Sequence, residues 1–166
     1  MELVYYPNEI LANICVEADF ENIDIAKDAY QMFQIMKDNN GIGLAASQVG
    51  LNYRMFIMEN LVIVNPTIKE KSSEIIKEIE GCLSFPQLWM KVARAKTIVA
   101  NFFDENGVEK TEEFSDIYSK CFQHEFDHLE GVRFTSRANP YHLAKAKKDL
   151  KKLNKLKRRI EHDEEG

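Results

Sequence analysis

No run of apolar residues in this 166-residue chain is long enough to span a bilayer, which argues against a transmembrane helix. The first residues, Met1-Glu2-Leu3-Val4-Tyr5-Tyr6-Pro7, lack the basic start and apolar stretch of a secretory signal, so a cytoplasmic protein with no membrane partner is expected. Cysteine is scarce: three residues, at 15, 82 and 121, odd in number and scattered. That pattern excludes a disulfide framework and suits a reducing compartment, with Cys15 and Cys121 reading as small buried apolar residues. There is no internal repeat and no low-complexity linker. Residues 1–166 are therefore read as one domain, large enough to bury a sizeable core.

What is present is concentrated in three stretches. They are Gly41-Ile42-Gly43-Leu44-Ala45-Ala46-Ser47-Gln48, Glu80-Gly81-Cys82-Leu83-Ser84, and Gln123-His124-Glu125-Phe126-Asp127-His128. Histidines at i and i+4 on a helix share one face and can bind one metal ion, so His124 and His128 read as ligands. Glu125 lies beside them, where a carboxylate can take a proton from water activated at the metal without being a ligand itself. Two imidazoles leave a hydrolytic metal short of a third protein ligand, and Cys82 is the best candidate. His142 and His162 lie in or after a lysine-rich segment and read as solvated. Glu130 is too close in sequence to return comfortably to the same ion.

The order of elements reads as α+β: a helix, a block of strands, then two helices. Residues 23–38 place Ile25, Ala29, Met32, Phe33 and Met36 on one helical face, and Asn39-Asn40-Gly41 ends the helix. Residues 55–58 and 61–64 are apolar runs divided by Glu59-Asn60, which predicts a tight hairpin. Residues 73–79 alternate weakly. Residues 97–103 and 108–114 flank Asp104-Glu105-Asn106-Gly107, a stronger hairpin signal because Asn-Gly tolerates positive φ. The histidine helix is expected from Ser115-Asp116, one of which caps it, to about Glu130-Gly131. Its inward face then carries Ile117, Cys121, His124 and His128, and the first two should line a pocket near the metal.

Taken together and in this order, the three stretches resemble the signature motifs of peptide deformylases, GxGxAAxQ, EGCLS and QHExDHLxG. Gly41 to Gln48, Glu80 to Ser84 and Gln123 to Gly131 fit them without a break, and the similarity extends through Asn65-Pro66 and Phe85-Pro86 over nearly the whole chain. The resemblance implies antiparallel sheets packed around the helix that carries HExxH, with further helices toward both ends of the chain. It implies hydrolysis of the formyl group from N-formylmethionyl nascent peptides, releasing formate. Cys82, His124 and His128 then hold the metal, and Glu125 is the base. Gln48 and the backbone N–H of Leu83 donate to the developing oxyanion. The pocket of Ile117 and Cys121 takes the methionine side chain, whose unbranched thioether suits apolar walls. Gly41 and Gly43 let backbone approach backbone closely, and Ile42 to Leu44 with Gly81 form edges along which an extended peptide lies by strand addition.

Two imidazoles and a thiolate suit zinc, iron, cobalt or nickel, and the resemblance points to Fe(2+) in the cell, replaceable by Zn(2+), Ni(2+) or Co(2+). Three departures from the family pattern stand out. The first hairpin is short, Lys120 stands where an apolar residue is usual, and Trp89 stands where an arginine is frequent. Lys120 is expected on the pocket rim with its ammonium in water. Trp89 either meets the substrate or covers the edge of the core.

Residues 141–160 hold nine Lys or Arg against one acid, Asp149, although the chain carries a formal charge of −5. Leu143, Ala146, Leu150, Leu153 and Ile160 recur at helical spacing, so one stripe can pack while a basic face points outward. The resemblance implies contact with the ribosome, and a basic helix suits ribosomal RNA. A simply solvated amphipathic helix is the alternative, and the acidic tail at 161–166 opposes RNA contact by repulsion. A monomer is expected. Two other readings are weighed against a deformylase. A zinc endopeptidase shares HExxH but leaves Gln48 and Glu80 to Ser84 unexplained. A non-catalytic ribosome-binding protein with a structural metal leaves Glu125 and Gln48 without a role.

Overall fold

A computed structural model describes the backbone of residues 1–164 and the side chains of residues 1–155. The side chains of Ile160 and of the acidic tail expected at 161–166 lie outside the residues so described, while the backbone of 161–164 continues the last helix instead of leaving it at 160. After an irregular N-terminal stretch with one short 3-10 turn (Glu9–Ala12), helix α1 spans Ile25–Asp38. It starts two residues later than its apolar pattern suggests, because Asp24 caps it by accepting from the Lys27 N–H at 3.1 Å. At the other end the Asn39 side chain donates to the Ile35 carbonyl at 2.8 Å, and Asn40 turns the chain with φ 54°.

The strands are β1 (Gly43–Ala45), β2 (Met55–Met58), β3 (Leu61–Lys71), β4 (Ile75–Cys82), β5 (Phe85–Ala95), β6 (Thr97–Phe103) and β7 (Glu109–Ser115). They make a five-stranded sheet in the order β1-β2-β3-β6-β7 and a two-stranded sheet, β4-β5. Every ladder is antiparallel. The expected hairpins at Glu59-Asn60 and around Asn106-Gly107 are both present, with Met58 facing Leu61 in the first and Gly107 at φ 75° in the second. Strand β5 was not expected. It enters with Pro86, which cannot donate to a ladder, and its outward positions include the apolar Trp89, which blurs an otherwise regular alternation.

Helix α2 (Asp116–Leu129) packs on one face of the large sheet, burying Phe122 and Leu129 against Phe56, Met58 and Ile63. Helix α1 covers the other face, burying Met32 and Met36 with Leu44, Met55 and Ile57. Covering both faces explains why β2 is apolar at all four positions: Phe56 and Met58 face α2, while Met55 and Ile57 face α1. Ser115 does stand at the start of α2, but its side chain caps nothing; its hydroxyl lies 3.2 Å from that of Thr97. Helix α3 (Pro140–Glu164) lays Leu143, Ala146 and Leu150 on a third cluster formed by Phe85, Leu88, Met90, Val92 and Phe134. Leu153, expected in that stripe, is exposed. No helix among the described residues is long and apolar enough to cross a membrane.

Candidate metal and peptide site

Helix α2 brings His124 and His128 onto one face, their ring centroids 5.0 Å apart. The end of β4 delivers Cys82 from the opposite side, with its Sγ 3.3 Å from His128 Nε2. One donor atom from each of these three residues lies within 4.8 Å of the others, a group that could hold a metal ion. Two nitrogens and a sulfur in that arrangement fit a divalent transition metal and leave room for a further ligand.

A chain of buried charge fixes the first imidazole. Glu80 Oε2 lies 3.0 Å from His124 Nδ1, which leaves Nε2 for the metal side of the ring. Arg94 grips Glu80 with both edges of its guanidinium, Nε to Oε1 at 2.9 Å and Nη2 to Oε2 at 3.1 Å. Its Nη1 donates to Asp127 Oδ2 at 2.5 Å, and Asp127 also accepts from Arg137 at 2.7 and 3.1 Å. Burial alone would raise the Glu80 carboxyl, but hydrogen bonds from His124 and Arg94 outweigh it and lower it to about 2. Burial raises Glu125 to about 7, tempered by His124 and reinforced by Glu80.

Glu80, Arg94 and Asp127 carry no assigned role in the sequence reading. One signal was there: Arg94 occupies an inward position of β5, in step with Leu88, Met90 and Val92. A cation at an apolar position implies a buried partner.

The group opens onto a cleft of about 560 Å³ between the free edges of β1 and β4. Gly41, Ile42, Gly43 and Gln48 line one wall; Gly81, Cys82 and Leu83 line another. Cys121, His124 and Glu125 form the helix side. His128 is almost wholly buried beneath them.

Gln48 is anchored rather than free. Its Oε1 accepts from the Ala45 N–H at 2.9 Å, and its Nε2 donates to Ser84 Oγ at 3.1 Å and to Cys82 Sγ at 3.4 Å. The N-terminal stretch pins the same region, Val4 N–H to the Gln48 carbonyl and Tyr6 N–H to that of Ser84, at 2.7 and 2.9 Å. Gly43 is where side chains meet backbone: a Cβ there would lie 2.6 Å from Glu125 Oε1 and 2.7 Å from Cys121 Sγ. The Glu125 Oε2 is buried and has no hydrogen-bond partner among the described residues.

Two expected pocket residues are elsewhere. Ile117 is 49% exposed and outside the cleft lining, because it sits in the first turn of α2, about two turns before His124. Leu44 is fully buried and does not line the cleft, its side chain pointing to the α1 core because neighbours along a strand alternate in direction. The two unusual residues do line the cleft. Trp89 is 64% exposed, its ring lying where a Cβ on Gly81 would be, at 2.6 Å, so it flanks the opening and does not cap the core. The Lys120 ammonium is not free in water but sits 2.7 Å from Glu78 Oε2.

Comparison with known proteins agrees with this geometry. Residues 1–144 match the family model of polypeptide deformylase. The peptide deformylase of Borreliella burgdorferi is 44% identical over 142 residues, 81% of this chain and 85% of that protein. Among solved structures, a Plasmodium falciparum peptide deformylase in complex with an inhibitor superposes with a TM-score of 0.84 at 35% identity, covering 93% of this chain and 99% of the other. The plant peptide deformylase PDF1B superposes with a TM-score of 0.86 at 32% identity, covering 96% and 92%. A family match over most of the chain, relatives of similar length and a shared fold agree that this protein belongs to the polypeptide deformylase family.

Proposed function

We infer that the chain is a peptide deformylase that removes the formyl group from N-formylmethionyl peptides and releases formate. One observation carries the reading: Glu125 and Gln48 line the same cleft as Cys82 and His124 of the donor group, and the Gln48 amide nitrogen lies 3.4 Å from Cys82 Sγ. Cys82, His124 and His128 would hold one divalent ion, Fe(2+) in the cell, with Zn(2+), Ni(2+) or Co(2+) accepted by the same donors. When bound, that ion supplies Lewis acidity to water and to the formyl carbonyl.

The chain's own residues do the rest. Glu125 takes the proton from the attacking water and passes it to the departing amine, and lacks any internal hydrogen bond at Oε2 that would compete. The Gln48 Nε2 hydrogen aimed at Cys82 Sγ meets a weak acceptor, so it is available to the oxyanion that develops beside the same sulfur. The Leu83 N–H, next in sequence to Cys82, is the second donor. Gly41, Ile42 and Gly43 on one edge, and Gly81 on the other, receive the peptide in extended form. Cys121 lines the space for the methionine side chain.

The substrate is delivered during translation, and α3 offers a basic face toward solvent for ribosomal RNA while its apolar stripe holds the third cluster. We infer a cytoplasmic monomer, and the free cysteines at 15, 82 and 121 suit the reducing compartment this requires. The reaction is tested by formate release from formyl-Met-Ala-Ser with protein prepared anaerobically with ferrous iron, beside Met-Ala-Ser and the Glu125→Ala variant. Formate from the formylated peptide alone, lost in the variant with metal retained, is the expected result. Cleavage of the unformylated peptide would instead favour an endopeptidase, and undiminished turnover in Glu125→Ala would remove the proposed base.

A further inference from the structure

We propose that Lys120, held by Glu78, is the end wall of the methionine pocket and sets the length of side chain the pocket accepts. The proposal rests on the deformylase reading of the cleft. Lys120 projects from α2 one residue before Cys121 and one turn before His124, about 6 Å along the helix axis. It lines the cleft, as does Ile79 on β4. Its ammonium lies 2.7 Å from Glu78 Oε2 and 3.5 Å from the Ile79 carbonyl oxygen. The bridge therefore runs from helix to strand beside the cleft and fixes the Lys120 stem against its lining.

The two partners are unequally placed, and this gives the wall its character. The Lys120 side chain is only 13% exposed while that of Glu78 is 53% exposed. Glu78 stands in water and draws the ammonium outward, so the pocket sees the methylene stem of Lys120 and not its charge. An unbranched thioether ends comfortably against such a stem. A longer apolar side chain must displace an ammonium that already has two acceptors, or press against it. Because an ion pair with one exposed member is weak, the wall acts through position as much as strength. It should fail when either end is removed.

Trp89 provides a readout independent of turnover, since it is the single tryptophan of the chain and lines the same cleft. Norleucyl-Ala-Ser and 2-aminooctanoyl-Ala-Ser differ by two methylenes in the first side chain. Their affinities for the metal-loaded protein would be measured by Trp89 fluorescence, and the kcat/KM values of the formylated forms by formate release, in native protein, Lys120→Ala, Glu78→Ala and the double variant. In Lys120→Ala the longer peptide should gain at least about tenfold over the shorter, the value of burying two further methylenes. Glu78→Ala should move the ratio in the same direction, and the double variant no further than Lys120→Ala. A merely structural pair would lower thermal stability and leave the ratio alone. Ratios within twofold of native in both single variants would overturn the wall. A shifted binding ratio with no formate from any peptide would keep the wall and reject the deformylase reading.

Discussion

Glu80→Gln is the most informative single change, because it separates what holds the fold from what orients the metal ligand. Glu80 is buried with Arg94, Asp127 and His124, and the ion pairs among Glu80, Arg94, Asp127 and Arg137 balance two negative groups against two positive ones. Removing the Glu80 charge leaves a net buried cation with only Asp127 to answer it, and Asp127 is shared with Arg137. Breaking one side of a buried pair typically costs about 3 to 5 kcal/mol, and the amide that remains can still accept from Arg94, so the loss should lie near about 3 kcal/mol. The carboxylate on His124 Nδ1 also disappears, and loss of such an outer partner usually lowers metal affinity by about 10- to 100-fold. Urea unfolding of the metal-free protein reads the first effect, and competition with a chelator reads the second. The double variant Glu80→Gln/Arg94→Met should recover at least half of the lost stability, since no unpaired cation is left, while metal affinity stays low. If Glu80→Gln binds metal within threefold of the native protein, Glu80 does not orient His124, whatever it does to stability.

Three further variants probe the cleft. Gln48→Ala should retain the metal and lose about 10²- to 10³-fold in kcat, the usual consequence of deleting one oxyanion donor, as read by steady-state formate release. Gly43→Ala would put a methyl group 2.6 Å from Glu125 Oε1, so the carboxylate must shift. A misplacement of that order should lower kcat by about a hundredfold with metal content unchanged by elemental analysis, and native kcat would show that Glu125 does not depend on this contact. Cys82→Ala should lose the metal itself, leaving protein that folds but elutes metal-free from a desalting column. Retention of a full equivalent of metal would remove Cys82 from the ligand set.

Much of this site is legible in sequence because its ligands come from local patterns. The i, i+4 spacing of His124 and His128 fixes their shared face whatever the rest of the chain does. Cys82 was reachable by elimination, and the hairpin turns by Gly107 and by the two-residue gap at Glu59-Asn60. What was not legible depends on how far a pattern extends into sheltered space. Ile117 has the right helical register to line the pocket, yet register gives only direction, and about two turns of helix separate this exposed residue from His124. Leu44 fails for the complementary reason: its neighbours Ile42 and Gly43 reach the cleft, and alternation along β1 sends its own side chain to the opposite core. Strand β5 was hidden by Trp89, an apolar residue on the solvent side that masks the period of two.

The hidden strand is also what makes the site possible. Cys82 and Glu80 lie at the end of β4, a strand whose partner among the described residues is β5, so both are held in place by this hairpin. The ladder from Ile75 opposite Ala95 to Glu80 opposite Met90 sets their height, and a register shift between Glu80 and Cys82 turns the chain so that both reach α2, Glu80 at His124 and Cys82 at His128. Arg94, from the far end of β5, then ties the hairpin to α2 through Asp127. Two of the histidine helix's own residues, His124 and Asp127, thus grip the hairpin at Glu80 and Arg94. The same four side chains that dock the small sheet also aim the imidazole. Loosening the docking must therefore loosen the metal site, whereas removing the metal need not undock the sheet, because Arg94 keeps both carboxylates. Chelation should accordingly leave β4 and β5 amides protected from hydrogen exchange, and Arg94→Met should expose them even with metal in excess.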